Sequence, residues 1–571
     1  MRRRGPFTRL VAHFLDRLVR SGQDSSTEFE LGAGALLGLL AAPGAFQSFL
    51  MLDKYSTFLN WMRGHLHDDI LVKSLEDKYL FLSMAMAVTG IITVLKWDRI
   101  LPDARDYLNL APLPIRPRRI LLANALAIAI AVTVFAVDVN GASAILFPLF
   151  VTASAEAPFA VYAQFAATHA ACMVLASLFT FCAVFAILGT LAAILPRNLF
   201  NACSSWVRGL ILVAFVTLLL SGFSGHALAV RLERVPGSAV RWLPSMWFLG
   251  LYQGLQHRAT PMLGWAGHMA WRALLAAFLL MIASYALSYR RRFAALLEGG
   301  RGPSEQRLAG LLLAALDLFA PRRAGFERAC HRFAVRGLLR NEAHRLCLAV
   351  ALGLGWLLAV QGAARGLAPP ANTGRPTDAL LEPALASAYL LILGLRVAFE
   401  LPAGASSNWV FRVVLNTRDS AALGAARRVI LSFLTPAVLL PAFVFAWWQW
   451  GIIAAVLHAA YVLALSLTYA EILLSGYRKV PLTCPMPGFR DNLLMLCLVQ
   501  FLGFELFTRA GGFIEQRDFA SPLLFLLVPA AMAGAWEWNR RRLRDARENG
   551  ELEEGLVFDS ERLPAIERLN L

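Results

Sequence analysis

Two imidazoles and two carboxylates fall within five residues at His65-Leu66-His67-Asp68-Asp69. Such a set can bind a divalent cation or supply a catalytic base. The motif is short, and a solvated charged turn satisfies it equally well. His169 and His458 are the most deeply placed imidazoles in the apolar sequence, where a lone histidine is more often a hydrogen-bonded packing residue than a proton carrier. The patterns Gly-x-Ser-x-Gly and His-Glu-x-x-His are absent, and so is any Gly-Lys pair, without which no P-loop can cradle phosphate. None of the seven cysteines has zinc-ligand spacing, and Cys484 has no histidine nearby to activate it. No catalytic residue, metal or cofactor is therefore assigned to the chain, and it is not read as an enzyme.

The elements that carry these residues are set by composition. The chain has 571 residues, 58% hydrophobic and 16% charged, with the apolar residues gathered in stretches long enough to cross roughly 30 Å of hydrocarbon. Expected spans are 29–52, 79–96, 120–137, 161–195, 206–224, 266–288, 343–363, 379–399, 428–447, 451–474, 492–507 and 521–538. The stretch 144–152 is too short to cross and reads as a re-entrant or interfacial piece. Trp242 to Leu255 reads as an aromatic-rich segment lying along the outer interface. The fold class is all-α: a polytopic integral membrane protein of about 12 transmembrane helices in two six-helix halves.

The net charge of +16 is explained by topology rather than by nucleic acid. With the N-terminus inside, the segments on that side hold 37 of the 54 Arg and Lys and the opposite segments hold 12, the bias expected of cytoplasmic loops. Met1 to Arg20 is basic without an apolar signal core, so no cleaved signal peptide is expected. Both termini are placed in the cytoplasm and the chain in a bacterial inner membrane. The expected organisation is an interfacial helix at 1–28, a first transmembrane half at 29–288, a cytosolic connector at 289–342, a second half at 343–538 and a tail at 539–571. A faint repeat supports the halves. Phe7, Arg9, Phe14 and Arg17 recur as Phe326, Arg328, Phe333 and Arg336, and Arg118-Arg119-Ile120 as Arg427-Arg428-Val429.

Two segments on the inner side have mechanical character. Phe7, Leu10, Val11, Phe14, Leu15 and Leu18 follow the spacing of one apolar helix face, with Arg9, His13, Asp16 and Arg17 opposite. This is a helix suited to the headgroup layer. The loop 97–119 places Asp103, Arg105, Asp106 and Tyr107 before Pro112, Pro114 and Pro117. Proline fixes φ and removes donors, so a stiff extended arm is expected to follow a short polar element.

The run from Asp106 to Ala123, with Pro112-Leu113-Pro114 before the basic pair Arg118-Arg119 and an apolar helix, resembles the first inner loop of export-type ABC transporter permeases. The resemblance implies an amphipathic connecting helix before the first span and a coupling loop between the second and third. Residues 6–20 and 97–119 occupy those places, with 326–340 and 400–428 as counterparts in the second half. It implies the permease subunit of an ATP-driven exporter, with ATP bound by a separate cytosolic P-loop ATPase and the bilayer as its other partner; this chain departs from the family in carrying twelve expected spans, so it would be a fused, double-length pair of halves. Two alternatives stand beside it. One is a secondary-active transporter, disfavoured because Glu382, Arg396, Glu400, Glu471, Glu505 and Glu537 lie near span ends, where charges snorkel. The other is a lipid-linked sugar transferase, because such enzymes carry acidic pairs in a first outer loop, as at Asp68-Asp69. Spans poor in midplane charge suit a lipid-like or amphipathic cargo.

Overall fold

The computed structural model describes residues 5–19, 44–45, 47–48, 51–55, 70–100, 116–155, 157–223, 242–257, 261–297, 316–320, 325–367, 376–401, 419–475, 477, 479–483, 493–520, 530, 533–534, 536–538 and 540–542. Their regular elements are all helical. Among the described residues, eight helical segments are long and apolar enough to cross a membrane: Ser74–Leu95, Arg118–Ser154, Phe159–Ile194, Leu263–Ser288, Glu342–Gly362, Leu380–Ala398, Ala422–Trp450 and Ile452–Leu473. Each overlaps an expected span, and the shorter apolar helix Cys203–Leu219 overlaps a ninth. The expected spans 29–52 and 521–538 lie largely outside the described residues. The architecture is that of an all-α, multi-pass membrane protein. The chain divides into two compact units, Met1–Ser204 with Ile211–Gly302, and Ser205–Leu210 with Pro303–Leu571. The division at Gly302 falls inside the segment expected to be a connector.

The first unit contains α1 (Pro6–Val19), α2 (Ile70–Leu95), α3 (Pro117–Ser154), α4 (Phe159–Ile194), most of α5 (Arg197–Phe223), α6 (Pro244–Leu255) and α7 (Pro261–Leu297). Helix α4 is central, packed by α2, α3, α6 and α7. Two expectations are corrected here. Residues 144–152 are not a separate re-entrant piece: they continue α3, a single helix of 38 residues. Asn140 does not interrupt it, because its buried amide donates to Ser177 Oγ on α4 at 3.0 Å and to Ala136 O at 2.7 Å. Nor is 242–255 laid on the outside of the helices on its aromatics. Helix α6 buries Met246, Phe248, Leu249, Leu251 and Tyr252, leaving Trp242 outside at 68% exposure. Close approach makes this feasible: a Cβ at Gly250 would sit 2.3 Å from Leu263 O on α7, so only glycine fits.

The second unit contains α8 (Gly325–Arg340), α9 (Glu342–Leu367), α10 (Asp378–Ala398), α11 (Asp419–Leu434), α12 (Leu440–Trp450), α13 (Ile452–Leu473), α14 (Leu493–Glu505) and α15 (Gly511–Ala520). Helix α10 is its hub, burying Leu385, Tyr389, Ile392 and Leu395 against Val429, Phe433, Val462 and Tyr469. A π-turn at Thr435–Leu439 joins α11 to α12. Pro436 lies within it and Pro441 just after it, and the wider turn makes the room that proline needs in a helix. Gly451, at φ 89, turns α12 into α13, a left-handed conformation that a side chain would strain. A second π-turn, Leu506–Ala510, joins α14 to α15.

Candidate coupling site

The ends of the helices that charge counting assigns to the cytoplasm are called the basic ends below. In the first unit, the amphipathic helix α1 forms because its apolar residues share a face, and that face is largely covered by protein. Leu10, Val11 and Phe14 pack on Ile120, Ala123 and Ala127 in the first turns of α3, with Leu15 at the margin. Phe14 is 1% exposed and Phe7 is 37% exposed; Leu18 is half-buried. The expected interfacial helix is thus also a bracket on the basic end of α3.

Both flanks of the 97–119 loop are tied to the spans. Trp97 begins a single helical turn ending at Ile100; its ring is buried edge-on against Phe185 at 5.3 Å. Asn124 on α3 donates to Ile100 O at 3.2 Å and to Tyr285 Oη on α7 at 3.0 Å, and Tyr285 donates onward to Leu121 O at 3.3 Å. On the other flank Pro117 is the first residue of α3, preceded by Arg116 at φ −63° and ψ 131°, polyproline II geometry. Asp103, Arg105, Asp106, Tyr107, Pro112 and Pro114 lie outside the described residues, as do His65 to Asp69.

The second unit repeats the bracket. Cys330, Ala334, Val335 and Leu338 on α8 are buried, and Cys330 and Ala334 belong to the clusters that contain Ala422, Ala425, Ala426 and Val429 of α11. Arg428 on α11 donates to Glu327 of α8 at 2.8 Å, and His331 Nε2 meets Ser432 Oγ at 2.9 Å. Because Ser432 gives its proton to Arg428 O at 2.7 Å, the imidazole must be the donor. Burial, reinforced by Arg428 and Arg332 against the pull of Asp317 and Glu327, holds the His331 ring below its ordinary value and so neutral. Burial likewise pushes the Cys330 thiol up to about 12, with Glu327 adding to it, so it is inert as a nucleophile.

Beside the bracket lies a buried ionic knot. Glu400, just past α10, accepts from Arg396 one turn earlier and from Lys479 at 2.7 Å. Lys479, fully buried, also donates to Phe399 O at 3.0 Å, and Arg396 donates to Leu473 O at 3.1 Å on α13. His344 of α9 meets Leu401 O at 2.9 Å, and Arg427 reaches Glu471 at 2.6 Å. Burial alone would raise the Glu400 carboxyl, but Arg396 and Lys479 together outweigh it and hold it below the usual carboxylate range. The knot thus joins α9, α10, α11 and α13 at both described margins of the 400–428 segment; residues 402–418 lie outside the described residues.

Away from the basic ends, each unit buries a polar cluster that the sequence pattern did not bring together. In the first, Asp77 accepts from Lys54 at 2.8 Å and from Tyr55, Lys78 donates to Gln256 at 2.8 Å, and His169 Nδ1 meets Tyr252 Oη at 3.2 Å. In the second, His458 Nδ1 meets Glu515 Oε1 at 2.6 Å with both side chains buried. Glu515 Oε2 and both carboxylate oxygens of the buried Asp518 have no hydrogen-bond partner. Sequence reasoning singled out His169 and His458 but placed 508–520 in an outer loop, and so missed Glu515 and Asp518. Among the described residues, no group of three or more His, Cys, Asp or Glu is placed to hold a metal ion.

No protein-family model, curated protein or solved structure matches the chain.

Proposed function

We propose that this chain is the membrane-spanning permease subunit of an ABC-type exporter, a fused pair of six-helix halves that works with a separate cytosolic P-loop ATPase in a bacterial inner membrane. One observation carries the reading: α1 and α8 each clamp an amphipathic face onto the first turns of a span, α3 and α11. Each of those spans emerges directly from a segment assigned to coupling. A push on residues 101–115 reaches α3 through Arg116 and Pro117 and meets the α1 bracket there. A push on 402–418 meets the ionic knot around Glu400. Chemistry on a partner could in this way change the packing of spans without any catalytic group in the chain itself. An apolar furrow of about 680 Å³ between α3, α4 and α7, lined by residues such as Ile128, Val132, Phe181 and Phe278, supports a lipid-like or amphipathic cargo.

The test is co-purification from native membranes. A P-loop ATPase should accompany the chain, and the chain alone should hydrolyse no ATP. Repeated isolation without such a partner, together with transport by the lone chain in a proton gradient, would sink the proposal.

A second reading, the secondary-active transporter, is favoured by one observation. The His458–Glu515 pair beside Asp518 is a buried set of proton-exchanging groups far from the basic ends, of the kind used in proton relays. Nothing among the described residues adds to the transferase alternative.

A further inference from the structure

The outward side of α8 carries an arrangement that the coupling reading does not use. Arg328, Arg332, Arg336 and Arg340 are spaced four residues apart, so their guanidinium groups line one face, opposite the side buried on α11. They line an open groove of about 790 Å³ together with Phe333 and Asn341. Like charges at this spacing repel and destabilise an isolated helix, so four in series call for a counter-charge. Among the described residues little is supplied: Asp317 bridges Arg332 at 2.9 Å. The two carboxylates nearest in sequence are engaged elsewhere, Glu327 with Arg428 and Glu342 with Arg208. Arg328 and Arg332 each hold a buried Nε–H without an acceptor, while Arg336 and Arg340 are exposed.

The place of the groove names its occupant. Helix α8 ends at Arg340, and two residues later Glu342 opens a candidate span. Its buried face packs on the first turns of the span that starts at Ala422. The arginine row therefore runs along the boundary between hydrocarbon and water, over about 18 Å from Arg328 to Arg340. Phosphate oxygens at that depth belong to lipid headgroups, guanidinium forks match them bidentately, and Phe333 offers an apolar wall to the glycerol region. We propose that this groove binds the phosphate of an anionic phospholipid on the basic side of the membrane, with Arg328, Arg336 and Arg340 as its clamps. The proposal is independent of the energy source for transport.

The test uses the full chain in a neutral detergent with phosphatidylglycerol or phosphatidylcholine added, and native mass spectrometry to count retained lipids. Wild type should retain phosphatidylglycerol over phosphatidylcholine. The variant R336Q/R340Q alters only exposed side chains, and its fold is checked by its thermal midpoint; it should lose about tenfold or more of that retention. The variant R540Q/R541Q/R542Q removes one more exposed positive charge elsewhere and should retain the lipid as wild type does. Equal loss in both variants would reduce the effect to bulk charge and overturn the site. Undiminished retention in R336Q/R340Q would overturn it as well. Displacement of the lipid by a tenfold excess of inorganic phosphate would show a free-anion site and reject the lipid assignment.

Discussion

Lys479 donates to Glu400 across 2.7 Å, with the two side chains only 0% and 5% exposed. An ammonium so deeply buried is tolerable only because a carboxylate, itself shared with Arg396, sits within hydrogen-bond reach. The pair fixes residues 479–483 against the end of α10, and it gives the basic end of the second unit a defined electrostatic signature.

Glu400→Gln should therefore destabilise strongly, by about 3–5 kcal/mol, since it leaves Lys479 buried with its charge uncompensated. The pH dependence follows from the depressed Glu400 carboxyl. Its contribution is complete above the unfolded value of about 4.3 and is lost as pH falls through the lower, folded value. Thermal midpoints of detergent-solubilised wild type and E400Q should differ most near neutrality and converge in acid. A gap that stays constant from neutral to strongly acid pH would refute the linkage.

Phe14 and Phe7 share the apolar face of α1 but face different surroundings. Phe14→Ala should cost about 3 kcal/mol of local stability through lost packing on α3, read as faster hydrogen exchange across residues 6–19 in detergent. Phe7→Ser should leave that exchange unchanged and loosen the helix only in bilayers. Equal effects of both in detergent would argue against the bracket.

In the 97–119 loop, charge reversal at Arg105 and Asp106 should weaken partner contact mildly, since exposed pairs contribute about 0.2–1 kcal/mol. Asp103 and Tyr107 belong to the same expected face. Replacing Pro112, Pro114 and Pro117 by glycine should preserve ATPase binding and abolish export, because the arm would bend before it transmits displacement. If instead Asp68→Asn with Asp69→Asn kills activity while the glycine variant works, the exporter reading fails and the transferase stands.

His458 and Glu515 discriminate between the exporter and the carrier. In an exporter the pair is a packing element, so Glu515→Gln should lower the thermal midpoint and leave transport dependent on ATP alone. Loss of gradient-driven transport in E515Q, with assembly intact and with sensitivity to a protonophore in wild type, would select the carrier.

Orientation can be read from two exposed positions in a cysteine-free background. Ala155→Cys, at the far tip of α3, should react with an impermeant thiol reagent added to intact cells, and Arg336→Cys on α8 should react only after permeabilisation. The reverse pattern would invert the topology and remove the coupling assignment from the basic ends.

What was legible in the sequence is what local periodicity encodes. The apolar run 161–195 is a helix because nothing in it breaks one, and the face carrying Leu10 and Phe14 is a face because of 3.6-residue spacing. What was not legible depends on partners distant in the chain. The stretch 144–152 looked too short to cross on its own, yet Asn140 is satisfied by Ser177 on α4 and the third span runs on through it as one helix. The aromatics of 242–255 suggested an interface, yet Gly250 lets that segment press against α7 and become core. Glu515 looked like a loop acid because its partner, His458, lies 57 residues away, and Lys479 found Glu400 across 79. No window on the sequence spans such distances.

Helix α3, at 38 residues, is about 57 Å long, nearly twice the roughly 30 Å of hydrocarbon it would cross. Such a rod is a lever. With its N-terminal turns gripped by α1 and its middle constrained by lipid, a tilt of about 10° about that middle would sweep the far tip sideways by about 5 Å. Helices α4 and α7, of 36 and 37 residues, are built on the same scale and pack directly on one another. In the permease proposed above, rotations too small to break any helix–helix contact would thereby be amplified at the far tips into displacements that open or close a passage.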